Sequence, residues 1–266
     1  MNRVMNDWAV TPAVAVAGLG SNVLRPADEA ASLSALWTEL VGGFCKIEQT
    51  DFSAQTCSVV VSRTHRLSGG EGSRLPQRDI EILEQSLLEG VRKSVAVDFG
   101  LCPSSIAEIL RRCFVFMGLS CWPSRIPLLI VMAAHAKHAL EGQRGPKLVL
   151  AQNQQFLRQS ISATRPDNEL SERLSPAEYE VTRLLIEGRS YAEMATLRQT
   201  SKRTVANQLA SAFHRLGISG RAELLCLLAK HQVALWQSAS STSRTFSLAS
   251  AEGPTSFARV AGERGR

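Results

Sequence analysis

Apolar positions along this chain recur with two periods, and the changes from one to the other outline its elements. Leu33, Leu36, Trp37, Leu40 and Val41 lie three or four residues apart and follow Pro26-Ala-Asp-Glu, whose acids suit a helix start. The spacing predicts an amphipathic helix over 28–41, ended by Gly42-Gly43. Two β-prone runs come next, 44–50 and 56–63, with Val59-Val60-Val61 the strongest part. A polar turn at 51–55 makes them a hairpin. Residues 67–74, LSGGEGSR, are a Gly/Ser loop and a candidate linker.

Helical spacing returns at Leu75, and there the chain starts to resemble a later part of itself. Shifted by 99 residues, 75–120 lies on 174–219 without a gap. Identities include Glu81/Glu180, Ala96/Ala195, Ala107/Ala206, Leu110/Leu209, Phe114/Phe213 and Gly118/Gly217. Like-for-like pairs such as Asp79/Glu178, Ile82/Val181, Val95/Met194 and Ile106/Val205 fill further positions of the apolar pattern. The matches gather on the apolar face and at the turns, which predicts an internal duplication.

The remaining stretches give weaker signals. A helix is expected over 125–140, with Leu128, Leu129, Val131 and Met132 as its core side. Composition makes 141–146 a linker. Residues 147–152 read as a short strand, 153–164 as a second strand or an irregular segment, and 165–173 as a polar linker. The expected organisation is therefore an irregular leader (1–25), then a helix, hairpin and first repeat (26–140). A linker with short strands (141–173), the second repeat (174–237) and a disordered Ser/Ala/Gly-rich tail (238–266) complete it. The fold class is mainly α.

The second repeat carries the sharpest chemistry. Ser175-Pro-Ala-Glu is a helix start, Val181, Leu184 and Leu185 are its core stripe, and Gly188 is its stop. Ser190 caps a short helix over 191–197, with Met194 and Ala195 inward. After a turn at 198–200, Ser201 caps a third helix to Leu216, with Val205, Leu209, Ala212, Phe213 and Leu216 inward. Gly217 ends it, and 221–230 form a fourth helix. No carboxylate occurs between Leu197 and Ala222, while Arg198, Lys202, Arg203, Arg215 and Arg221 are basic. Two short helices joined by a tight turn, the second capped and basic at its start, describe a helix-turn-helix. Its second helix is suited to the DNA major groove, where free N–H groups meet phosphate and side chains meet base edges.

This stretch resembles the DNA-binding domain of LuxR/GerE (NarL/FixJ) transcriptional regulators. The residues that carry the resemblance are Leu174-Ser-Pro, Glu178-x-Glu-Val, Gly188-x-Ser, Glu193-Met-Ala, Thr200-Ser-x-x-Thr-Val, Leu216-Gly-Ile-Ser and Arg221-Ala-Glu-Leu, about a fifth of the chain. The resemblance implies a four-helix domain whose DNA-contacting positions fall on Lys202, Arg203, Thr204, Ala206, Asn207, Gln208 and Ala210. Many members of the family have a basic residue just after the Thr-Val pair, whereas this chain has Ala206. Base reading is then expected to move to Asn207 and Gln208, whose amides pair bidentately with adenine. Lys202, Arg203 and Thr204 are assigned to phosphate, and Ser211 completes the candidate set. A bacterial, cytoplasmic regulator that binds double-stranded DNA as a homodimer is the implied protein.

The first repeat departs at its equivalent helix, Cys102-Pro-Ser-Ser-Ile-Ala-Glu-Ile-Leu-Arg-Arg. Glu108 stands where Asn207 stands, and a carboxylate facing phosphate is repulsive. It is expected to be a degenerate copy used for dimerisation or for contact with a ligand or partner. The alternative for the whole chain is a non-DNA interaction or ligand-sensing protein built from two helical repeats.

Composition narrows the field only a little. With 266 residues and a net charge of +6, the chain has room for several small units and a mild bias toward acidic partners. No apolar run is long enough to span a bilayer. Six cysteines form no CxxC pair or zinc spacing; buried thiols are the expectation, with Cys45 and Cys57 across the hairpin the alternative redox pair. His135-x-x-His138 lacks further ligands, Gly18-Leu-Gly lacks a nucleotide-loop frame, and no catalytic motif occurs. No enzyme activity, cofactor or metal is expected.

Overall fold

The computed structural model describes residues 26–53, 55–64, 74–119, 126–141, 158–167 and 170–249. The expected leader at 1–25, the loop 67–73 and the strand at 147–152 lie outside the described residues. Among those described are ten helices and one three-stranded antiparallel sheet, so the fold is mainly helical. No helix among them is long and apolar enough to cross a membrane.

Helix α1 (Pro26–Val41) follows its predicted stripe, with Leu33, Leu36, Trp37 and Leu40 fully buried. Strands β1 (Cys45–Phe52) and β2 (Thr56–Arg63) form the expected hairpin, irregular between Ile47 and Gln49. A third strand, β3 (Arg158–Thr164), pairs antiparallel with β2 and turns the hairpin into a sheet of order β1-β2-β3. Ile161 and Ala163 join Cys45, Ile47, Cys57, Val59 and Val61 on the buried face. The partner of β2 comes from about a hundred residues away, where the Ser-rich sequence gives only a weak alternation.

The segment after β3 is a correction. Residues 165–167, part of the expected polar linker, are buried. Arg165 forms an ion pair with Asp167, donates through Nη1 to Ser53 O at 2.5 Å, and stacks 4.7 Å from the centre of the Phe52 ring. Pairing and ring contact offset the desolvation of both charges. The linker is thereby fastened to the hairpin end.

Four helices form the first unit: α2 (Gln77–Glu89), α3 (Arg92–Asp98), α4 (Pro103–Phe116) and α5 (Leu128–Leu140). After the short α6 (Leu170–Arg173) come α7 (Pro176–Ile186), α8 (Tyr191–Leu197), α9 (Lys202–Leu216) and α10 (Arg221–Ala249). Gln77, Arg92 and Pro103 begin their helices 99 residues before Pro176, Tyr191 and Lys202 begin theirs. The matching is also physical. Ile82, Val95, Ala96, Ile106, Leu110 and Cys113 are buried, as are Val181, Met194, Ala195, Val205, Leu209 and Ala212. Gly118 and Gly217, at the ends of α4 and α9, are both left-handed, with φ of 88° and 70°.

Two helices differ from expectation. Every residue of α5 from Leu128 to Ala136 is buried, so the helix has no solvent face in that span. It sits between α1, α2, α10 and the sheet. A helix apolar on all sides is what such a position requires. The fourth helix of the second unit, α10, does not stop near Lys230 but continues to Ala249, through twelve residues expected to be disordered. No Gly or Pro stands between Arg221 and Gly253 to end it, and Ala and Leu favour its continuation. Leu224, Leu225, Cys226, Leu228, Ala229 and Trp236 bury its inner face.

Neither cysteine of the hairpin faces the other. Cys45 stands opposite Arg63 at one end, and Cys57 opposite Phe52 at the other. Both thiols are free, so the redox pair is not formed, and burial pushes both up to about 12. His135 is buried and its Nε2–H donates to Leu87 O at 3.2 Å; burial holds the ring near pKa 4, hence neutral. His138, three residues on, is exposed beside Glu141.

A candidate nucleic-acid interface on helix α9

The second unit places its candidate residues through a series of caps. Ser175 and Glu178 form a capping box at α7, and Ser190 and Glu193 form another at α8. Ser201 caps α9: its Oγ accepts from Thr204 N–H at 3.0 Å and lies 2.9 Å from Thr204 Oγ1. Between α8 and α9 the chain turns through Gln199, which has φ of 51°. Gly100 holds the same place in the first unit, with φ of 61°.

Polar contacts then fix the roll of α9 about its own axis. Glu178 is the centre of one set. Its Oε1 accepts from Ser211 Oγ at 2.5 Å and lies 3.4 Å from Arg215 Nε, while its Oε2 accepts from Ser175 N and Oγ. The Ser211 and Ser175 hydrogen bonds pull this carboxyl down to about 2. In the second set, Arg198 donates through Nε to Glu180 Oε2 at 2.9 Å and through Nη1 to the Gln208 side-chain oxygen. The side of α9 bearing Gln208 and Ser211 therefore faces α7 and α8.

The solvent side of the helix start is open. Lys202, Arg203, Thr204, Asn207 and Ala210 are exposed, and Arg203 and Asn207 lie one turn apart on the same line. Of the six candidates, Lys202, Arg203, Thr204 and Asn207 are exposed; Arg203 and Asn207 share the outward line, while Thr204 lies on the flank that carries Gln208 and Ser211 one and two turns on. Gln208 and Ser211 are engaged inward. No acid stands in the first turn of α9.

Three of the five basic residues have structural partners: Arg198 and Arg215 as above, and Arg221. The last donates through Nε to Leu185 O at 2.8 Å and through Nη2 to Ile126 O at 2.8 Å. The fold thus reserves Lys202 and Arg203 for the open face. The Arg198–Gln208 bridge was not foreseen, because residues ten apart, one in the turn after α8 and one on α9, share no local pattern.

The equivalent face of α4 has other chemistry. Glu108 is paired with Arg111 at 2.6 Å, and this hydrogen bond holds its carboxyl below the ordinary range. Asp79, at the position of Glu178, pairs with Arg112, at the position of Ser211, again at 2.6 Å. Both units therefore tie their first helix to their third at the same place. Cys102, in the N-cap place of Ser201, has its thiol brought down to about 7 by Ser104 and Ser105. No protein-family model, curated protein or solved structure matches the chain.

Proposed function

We propose that the chain is a DNA-binding transcriptional regulator of the LuxR/GerE type, with α9 lying in the major groove of duplex DNA. The observation that carries this reading is the face just described: a capped, acid-free helix start with Lys202, Arg203, Thr204 and Asn207 exposed together. Lys202, Arg203 and Thr204 meet phosphate, helped by the free N–H groups of the first turn. Asn207, one turn in, reaches a base edge, where its amide suits adenine N6 and N7. Gln208 is given a different role from the one its residue type suggests. With its oxygen taken by Arg198, it positions α9 instead of reading a base.

Selection of the full chain against a pool of random duplexes tests the assignment. The wild-type chain enriches a motif. Asn207→Ala flattens that motif at one or two positions, with a loss of about 1–3 kcal/mol on the preferred base pair. Lys202→Ala weakens all sequences alike and leaves the motif intact. No enrichment, or the same flattening in both variants, contradicts the reading.

A further inference from the structure

The two helical units meet through like parts, and the meeting is reciprocal. Helices α5 and α10, each the fourth of its unit, pack against one another. The start of α10 lies against the end of α2. Cys226 Sγ donates to Leu87 O at 2.8 Å, and a Cβ on Gly90 would stand 3.0 Å from that sulfur and from Cα of Glu223. At the equivalent place of the other unit, Pro127 and Leu129 at the start of α5 line one cavity with Ile186 and Glu187 at the end of α7. Leu87 and Ile186 are equivalent under the 99-residue shift, so the same place in each unit meets the fourth helix of the other. Arg221, at the start of α10, donates to Ile126 O just before α5 and to Ile186 O at 3.2 Å, which brings the two helix starts together. A contact matched by its converse is the signature of isologous, two-fold pairing.

We propose that residues 75–140 are a built-in partner for residues 174–239, so that one chain lays α4 and α9 over two successive segments of a duplex. The pseudo-two-fold between the units then lies over the DNA dyad, as the two-fold of a dimer does on an inverted repeat. This rests on the DNA reading of α9. The inner face of α10 is already covered by α5, α1 and α2 of the same chain. On this proposal the species on DNA is a single chain.

Its two halves grip unequally. Ser104, Glu108, Arg111 and Val115 stand where Arg203, Asn207, Ala210 and His214 stand, all of them exposed. The Glu108 carboxylate, neutralised by Arg111, adds no attraction for phosphate. One half-site is held firmly and the other loosely, which favours an asymmetric site.

Grafting the α9 face onto α4 tests the inference. Ser104→Arg combined with Glu108→Asn changes two exposed side chains and leaves the core untouched. The probes are duplexes carrying either one copy of the half-site selected by the wild-type chain or two inverted copies about one helical turn apart. The grafted chain is expected to bind the inverted repeat roughly tenfold or more tightly than wild type does, because the second contact is tethered. On the single half-site it matches wild type. The mass of the complex corresponds to one chain of 28.9 kDa on the duplex. Two chains on the bound duplex, or a graft that gains nothing on the inverted repeat, overturns the inference and leaves the α9 reading standing. Failure of the wild-type chain to bind any duplex overturns both.

Discussion

Gly118 and Gly217 hold the same left-handed turn in different surroundings. A Cβ on Gly118 would stand 2.5 Å from Ile47 O, whereas a Cβ on Gly217 meets nothing within 4 Å. The same close approach lets Ile47 N–H donate to Met117 O at 2.8 Å, which docks β1 on the end of α4. Gly217→Ala is expected to cost about 1 kcal/mol, the strain of a left-handed Ala. Gly118→Ala is expected to cost about 3 kcal/mol, because β1 must also be displaced. Urea unfolding of the two variants checks the order, and equal losses would contradict the docking of β1 on α4. Glu178 makes a second prediction at this scale. Its folded-state pKa lies near 2, against an ordinary 4.5. A depressed carboxyl contributes stability above the unfolded value and loses it as pH falls toward the folded one. Stability should therefore fall between pH 4.5 and 2, and Glu178→Gln should flatten that fall.

The turn between α8 and α9 is where an element depends on one backbone angle. Gln199 adopts φ of 51° where the first unit has Gly100. Gln199→Gly relieves left-handed strain and loses some unfolded-state restriction, for a net gain of about 0.5–1 kcal/mol. A denaturant midpoint that falls would show that the Gln199 side chain contributes more than its backbone strain removes. The elements easiest to read from sequence were those with local signals. Ser175, Ser190 and Ser201 announced their caps, Gly188 and Gly217 their stops, and Leu33 to Leu40 a stripe. What was missed depends on distant partners. The strand reading of 153–164 is met by β3, but its pairing with β2 was not legible, and Arg165 and Asp167 are buried because Phe52 and Ser53 receive them. For α5, periodicity picked out one face because it cannot signal burial on all sides. The continuation of α10 was hidden by Ser-rich composition, although nothing in the sequence stops the helix.

At the scale of the molecule, one core runs through both units and the sheet, and α5 and α10 lie at its centre. Glu29 illustrates the linkage: from α1 it accepts from Thr164 N–H of β3 at 2.7 Å, with the Trp236 indole of α10 beside it. Of the candidate site, the open face was legible because exposure of Lys202, Arg203 and Asn207 follows from the apolar positions of α9. The inward roles of Gln208 and Ser211 were not, because their partners lie on α7 and in the turn after α8. Since α10 is shared with the first unit, the intact chain is the object to test. The most direct test of the proposed duplex binding by α9 is the salt dependence of affinity for the wild-type chain and Arg203→Ala. The expected result is a linear fall of log K with log salt, with a slope smaller by about one in the variant, as loss of one phosphate contact requires. Duplex affinity that is absent at low salt, or a slope that Arg203→Ala leaves unchanged, would contradict it.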